Sequence, residues 1–114
     1  MTPDRMRRVD EAMREVFSGA ITSDLKDPRV GFVTVTSVET SQDLRHARVY
    51  VSVMGTPSEK QRTLEGLRSA HGFLQGRVAE ELRLKHTPAL VFVADETAER
   101  AARITRLLSR GEAG

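Results

Sequence analysis

Between Pro57 and Leu84 the chain carries one helical apolar period that cannot belong to a single helix. Leu64, Leu67, Ala70, Leu74, Val78 and Leu82 recur at spacings of three and four, which marks one face of an α-helix. An unbroken helix of that length would measure roughly 40 Å at about 1.5 Å per residue. A compact domain of this size has a radius of gyration of about 13 Å, so the rod would overhang its own core. The period is interrupted at Ala70-His71-Gly72. Gly72 and Gly76 each cost about 1 kcal/mol relative to Ala inside a helix, and a left-handed Gly72 would end the first helix. Two helices joined by a tight kink are therefore expected. The second would begin with unpartnered backbone N–H groups shielded by nothing larger than Ala70 or Gly72. Such an end favours a phosphate or other anion, although an ordinary αα-corner accounts for the kink without a ligand.

The remaining elements follow from local signals. Thr2-Pro3-Asp4 reads as an N-cap, a proline at the first helical position and an acid in the first turn. Met6, Val9, Met13, Val16, Phe17 and Ala20 then mark the buried face of a long first helix. Asp27-Pro28 and Gly31 end that region. Phe32 to Val38 predicts a strand, Thr40 to Leu44 a polar turn, and Ala47 to Met54 a second strand in an antiparallel hairpin. Thr56, Pro57 and Glu59 form a capping box that opens the kinked pair. Pro88 precedes a third strand, Ala89 to Ala94, and Asp95 caps a short last helix containing Ile104, Leu107 and Leu108. One domain over residues 1–108 is expected, with 109–114 a frayed tail. The crossover between the second and third strands is long enough to place both in one sheet with helices on one face, an α+β layer.

Composition narrows the chemistry. The 114 residues include no Cys and no Trp, which removes disulfides, thiolate catalysis and Cys-ligated zinc. No apolar run approaches the roughly 18 residues of a membrane span, and the acidic residues Asp4, Asp10 and Glu11 among the first arginines argue against a targeting peptide. A soluble cytoplasmic protein is expected. The net charge is only +2, and basic and acidic residues alternate, so any basic surface must be assembled by folding.

The order helix, strand, strand, helix, kink, helix, strand resembles the bacterial (type II) KH domain, αββααβ, here with a C-terminal helix added. Val33-Thr34-Val35-Thr36-Ser37-Val38, Ser41-Gln42-Asp43-Leu44 and Ala47-Arg48-Val49-Tyr50-Val51-Ser52-Val53 resemble the ribosome-binding factor A family. So do Ala70-His71-Gly72-Phe73-Leu74, Arg83-Leu84-Lys85-His86-Thr87-Pro88-Ala89-Leu90, and Phe92 with Asp95. The resemblance spans about Arg7 to Leu108. It implies a non-enzymatic assembly factor without cofactor. Such a factor binds the small (30S) ribosomal subunit and its 16S rRNA late in maturation and promotes rRNA processing, notably in the cold. It also implies that an Ala-x-Gly kink, fitted by Ala70-His71-Gly72, replaces the two-glycine loop of ordinary KH domains. A monomer is expected, and a releasing GTPase is a partner by resemblance. Gln75 stands where relatives often carry a basic residue, and the C-terminal tail is short.

RNA binding requires cations near the kink. The candidates are Arg77, Arg83 and Lys85 on or after the second helix of the pair, and Arg62 and Arg68 before the kink. Arg45 and Arg48 at the hairpin and Arg5, Arg7 and Arg8 on the first helix complete the set. An extended segment at Leu84 would put Arg83 and Lys85 on one outer face. Phe17, Phe32 and Phe92 are expected in the core, which leaves little for base stacking. The enzymatic alternatives are thin. His46, His71 and His86 lack metal-ligand spacing, Asp24 and Asp27 read as turn or cap residues beside Pro28, and no nucleotide loop or nucleophile elbow is present. The competing reading is a protein-docking module of similar fold without RNA contact.

Overall fold

In the computed structural model, which describes residues 3–113, the interrupted period resolves into α2, Pro57–Ser69, and α3, His71–Glu81. They turn at Ala70, whose φ of −89° and ψ of 7° depart from helix without entering the left-handed region. Gly72 therefore does not end a helix. It lies in the first turn of α3, and among the described glycines only Gly55, at φ 127°, is left-handed. The remaining elements are α1 (Pro3–Gly19), running into a π-helical turn (Ala20–Asp24), then β1 (Val33–Thr40), β2 (His46–Val53), β3 (Ala89–Ala94) and α4 (Thr97–Ala113). The cap expected at Thr2 lies outside the described residues. The expected capping box is present, with the Thr56 side chain accepting from the Glu59 N–H and the Glu59 carboxylate accepting from the Thr56 N–H.

Among the described residues the strands form one sheet in the order β1-β2-β3, antiparallel and then parallel. The α2–α3 crossover supplies the reach that the parallel pair needs. A bulge at Thr36 breaks the β1 alternation, so that Val35 and Val38 both face the core. The core closes Met13 and Phe17 of α1 over Val49 and Val51 of β2, with Leu67 from α2 and Leu74 and Val78 from α3. Asp10 of α1 accepts the Thr40 N–H at 3.0 Å and fixes α1 against the end of β1.

Two expectations fail at the surface. Phe32, expected in the core, precedes β1 and is 83% exposed. The last helix is not short: α4 has 17 residues, includes 109–113, and leaves Ile104, Leu107 and Leu108 exposed. The molecule measures 58 Å along its longest axis. No helix of the described residues is long and apolar enough to cross a membrane.

The glycine whose size matters to packing is Gly66. A Cβ there would meet Val30 Cγ2 at 2.7 Å and Arg29 Cβ at 3.3 Å, because α2 lies directly on the loop before β1. Buried Thr63 completes that contact, accepting from the Gly31 N–H at 3.2 Å and donating to the Arg29 carbonyl at 3.3 Å. Asp27 holds the same loop. The Arg29 guanidinium, and then the Arg29 N–H, draw its carboxyl down to about 2.

Gly66→Ala should therefore destabilise the fold by about 1–3 kcal/mol through overpacking. Gly72→Ala, whose new Cβ meets nothing within 4 Å, should stabilise it by up to about 1 kcal/mol. Denaturant unfolding reads both, and a loss at Gly72 would contradict its helical placement. Because the folded pKa of Asp27 lies below the unfolded carboxylate value of about 3.9, its contribution is present above that value and is lost as pH falls toward about 2. In Asp27→Asn the stability-against-pH curve should lose slope in that window.

Candidate nucleic-acid interface

The kink is closed from inside the chain. The Ala70 N–H reaches the carbonyls of both Gly66 and Leu67 at 3.1 Å, and the Leu74 N–H bonds to the Ala70 carbonyl at 3.0 Å. His71 Nδ1 lies 2.8 Å from the Arg68 carbonyl. A carbonyl can only accept, so Nδ1 carries the proton and His71 caps the C-terminus of α2. Ala70 caps α3 with no side-chain acceptor, so the first-turn N–H groups of α3 have no side-chain cap. Gly72 beside them is exposed and open above its Cα.

At its other end α3 stops in a Schellman arrangement. The Arg83 N–H bonds to the Glu80 carbonyl at 3.3 Å and the Leu84 N–H to the Ala79 carbonyl at 2.9 Å. The left-handed position, which glycine usually fills, is held by Arg83 at φ 52°. The segment is thus not extended. Even so, half-buried Leu84 packs against the core and leaves both Arg83 and Lys85 exposed. The β1–β2 turn approaches the same place. There the Leu44 N–H bonds to the Ser41 carbonyl at 2.9 Å, Asp43 accepts from the Arg45 N–H at 3.0 Å, and Leu44 is left-handed at φ 60°.

These segments enclose a cleft of 420 Å³ lined by Asp43, Leu44, Arg45, Arg83, Leu84, Lys85 and His86. A neighbouring cleft of 630 Å³ shares Arg45, Lys85 and His86 and adds His46, Gln75 and Thr87. Arg45 Nη2 lies 3.5 Å from His86 Nε2 across the boundary. Gln75 donates to the Pro88 carbonyl at 2.8 Å, tying the early part of α3 to the start of β3. Folding therefore gathers Arg45, Arg83 and Lys85 into one basic surface and adds His86, which sequence spacing gave no reason to choose. The pairing of the turn with the α3–β3 link brings that residue against Arg45.

The other sequence candidates are dispersed. Arg77 is spent within the chain: it pairs with Asp24 at 2.5 Å and Glu81 at 3.1 Å and sits 5.9 Å from the Phe73 ring centroid. These partners raise its pKa, the Asp24 hydrogen bond most. Arg48 lies on the open sheet face, 3.4 Å from the Tyr50 hydroxyl and 3.9 Å from Glu39. Arg7 pairs with Asp4 at 3.3 Å, and Arg5 and Arg8 are exposed on α1. Arg68 is in the last turn of α2 beside the kink, while Arg62 lines a different cleft at the opposite end of the sheet. Among the described residues no group of three or more histidines and carboxylates could hold a metal ion.

The family model of ribosome-binding factor A matches residues 5–108 of this chain. Ribosome-binding factor A of Geobacter metallireducens is 48% identical over 104 residues, which cover 91% of this chain and 88% of the relative. The crystal structure of ribosome-binding factor A from Thermus thermophilus superposes at a TM-score of 0.69 with 25% identity, over 78% of this chain and 94% of that one. A homology model of the Thermus thermophilus factor, fitted into an electron-microscopy map of a 30S–factor complex, superposes at 0.63 with 26% identity, over 75% and 90% of the two chains.

The left-handed Arg83 yields a direct test of its strain. A non-glycine residue in this region costs roughly 1–2 kcal/mol, so Arg83→Gly should raise the unfolding free energy by roughly 1 kcal/mol. Arg83→Lys should leave it unchanged. A destabilised glycine variant would show that the side chain, and not the backbone position, is what the fold requires.

Proposed function

This chain belongs to the ribosome-binding factor A family, and we propose that it is an assembly factor that binds the small (30S) ribosomal subunit through its 16S rRNA and promotes late rRNA maturation, above all in the cold. The observation that carries this reading is the gathering of Arg45, Arg83 and Lys85 around clefts beside α3. Cations drawn from separate segments of chain suit a phosphate backbone better than a compact anion. Each neutralised phosphate releases counterions and makes affinity salt-dependent. The uncapped first turn of α3 at Ala70, His71 and Gly72 adds partial positive charge and bare N–H donors on an open surface. With helices on one face of the sheet and a kink between α2 and α3, the domain is read as KH-like of type II.

On this reading the protein acts by stoichiometric binding in the cytoplasm, as a monomer, and leaves the subunit through another factor such as a GTPase. Binding energy spent on one rRNA conformation shifts the population toward it. That shift matters most in the cold, where misfolded RNA escapes slowly from its traps. Arg77, neutralised by Asp24 and Glu81, belongs to the scaffold and not to the contact surface.

Replacing Arg83 and Lys85 together with Gln should weaken binding to immature small subunits and flatten the dependence of log affinity on log salt by about two units. An unchanged slope would remove both from the interface. Cells lacking the protein should accumulate unjoined subunits and untrimmed small-subunit rRNA, most severely at low temperature. Normal processing at all temperatures would overturn the assembly reading.

A further inference from the structure

We propose that the cleft between Phe32, Met54 and Arg62 holds a single unstacked nucleotide of the bound RNA, its base against the Phe32 ring and its phosphate on the Arg62 guanidinium. This rests on the RNA-binding reading and adds a second, separate contact to it. The Phe32 carbonyl accepts the Met54 N–H at 3.1 Å, which continues the β1–β2 ladder one pair beyond Val33 and Val53. Neither side chain joins the hydrophobic core. Phe32 is 83% and Met54 69% exposed, so the described residues leave both largely uncovered. Single exposed apolar residues are ordinary. Here two of them border a cleft of 360 Å³ that Pro28, Gly31 and Arg62 also line. That volume lies at the small-ligand end of the range, suited to one base and too small for a helix.

The charges at the cleft favour an anion-bearing occupant. Arg29 is committed to Asp27 through contacts at 2.7 and 3.1 Å. The Glu59 carboxylate is turned onto the Thr56 N–H at 3.2 Å. Arg62 makes no hydrogen bond or ion pair with the described residues; the Glu59 carboxylate nearby acts on it only through space, which leaves the guanidinium donors open to a phosphate. An exposed aromatic face next to a cation is the pairing that single-stranded nucleic acid uses, stacking the base and neutralising the phosphate.

The test measures the affinity of the full-length chain for immature small subunits across a salt series. Phe32→Ala should weaken binding about 5- to 150-fold, as loss of one stacked base does, without changing the salt slope. Phe32→Trp should restore it, and Arg62→Gln should reduce the slope by slightly under one unit. Because Phe32 is exposed, its variants should melt with the parent. A photo-crosslinking side chain at position 32 should label rRNA. Parental affinity in Phe32→Ala would overturn the proposal, as would a crosslink that lands on a ribosomal protein. Parental affinity there, combined with lost binding in the Arg83 and Lys85 double variant, would refute this site and leave RNA binding standing. Unchanged binding in both would defeat the RNA reading itself.

Discussion

Two helices that follow each other in the chain must lay their apolar faces on a sheet only three strands wide, and everything else in the structure accommodates that demand. Leu67 on α2 and Leu74 and Val78 on α3 are all fully buried, which a straight helix over that sheet could not achieve. The chain turns at Ala70, where hydrogen bonds continue on both sides and His71 caps the helix left behind. On the α2 side the geometry is held by close approach: Gly66 admits the Val30 and Arg29 side chains, and Thr63 satisfies the polar groups of the same loop. The outer side of the turn carries the uncapped N–H groups of α3. The feature that could meet an anion is therefore a by-product of the packing requirement, present whether or not a ligand is bound.

Backbone strain and a cluster of cations fall in one place. Leu44 and Arg83, the two described non-glycine residues with positive φ, both line the same cleft. Each conformation costs on the order of 1–2 kcal/mol, and such costs tend to persist where a site depends on them. At Arg83 the gain is concrete, because the Schellman turn swings Leu84 inward while the flanking cations stay at the surface. Elsewhere the arginines are used differently. Arg77 ties α3 to the π-helical turn through Asp24, and Arg29 fixes the loop under α2 through Asp27. Arginines of one chemical type thus divide into struts, which have carboxylate partners, and others, such as Arg83, that no ion pair with the described residues ties down.

That division explains what the sequence revealed and what it withheld. Elements with local causes were legible: the Thr56–Glu59 capping box, the Asp43 turn and the bounds of β3 need only neighbours in the chain. The α+β order followed from periodicity and crossover length. What the sequence withheld were the residues whose state depends on a distant partner. Gly72 carried the expectation of freedom, but the sterically critical glycine is Gly66, whose constraint comes from Val30. Arg77 is indistinguishable from Arg83 as a symbol, yet Asp24 neutralises it from another element. Phe32 was assigned to the core on hydrophobicity, a rule that holds in one direction only. No local pattern announces that a strand begins one residue later, at Val33.

Phosphate contacts alone cannot select an immature subunit, because mature and immature rRNA carry the same charge per nucleotide. Discrimination requires a term that depends on shape. The sheet supplies a fixed distance for one. The basic cleft sits at the β1–β2 turn and Phe32 at the opposite end of the hairpin, so the eight residues of β2 separate them. At about 3.3 Å per residue that is roughly 25 Å. β2 is the central strand, paired on both sides, so this span is as rigid as any in the molecule. On the proposed reading, an RNA engages both poles only when it offers a backbone at one end of that interval and an unstacked base at the other. A duplex, with its bases stacked, satisfies the charge and fails the stack. The hairpin would thereby convert a general affinity for polyanions into a preference for one folded state of the RNA, with no moving part and no chemistry beyond binding.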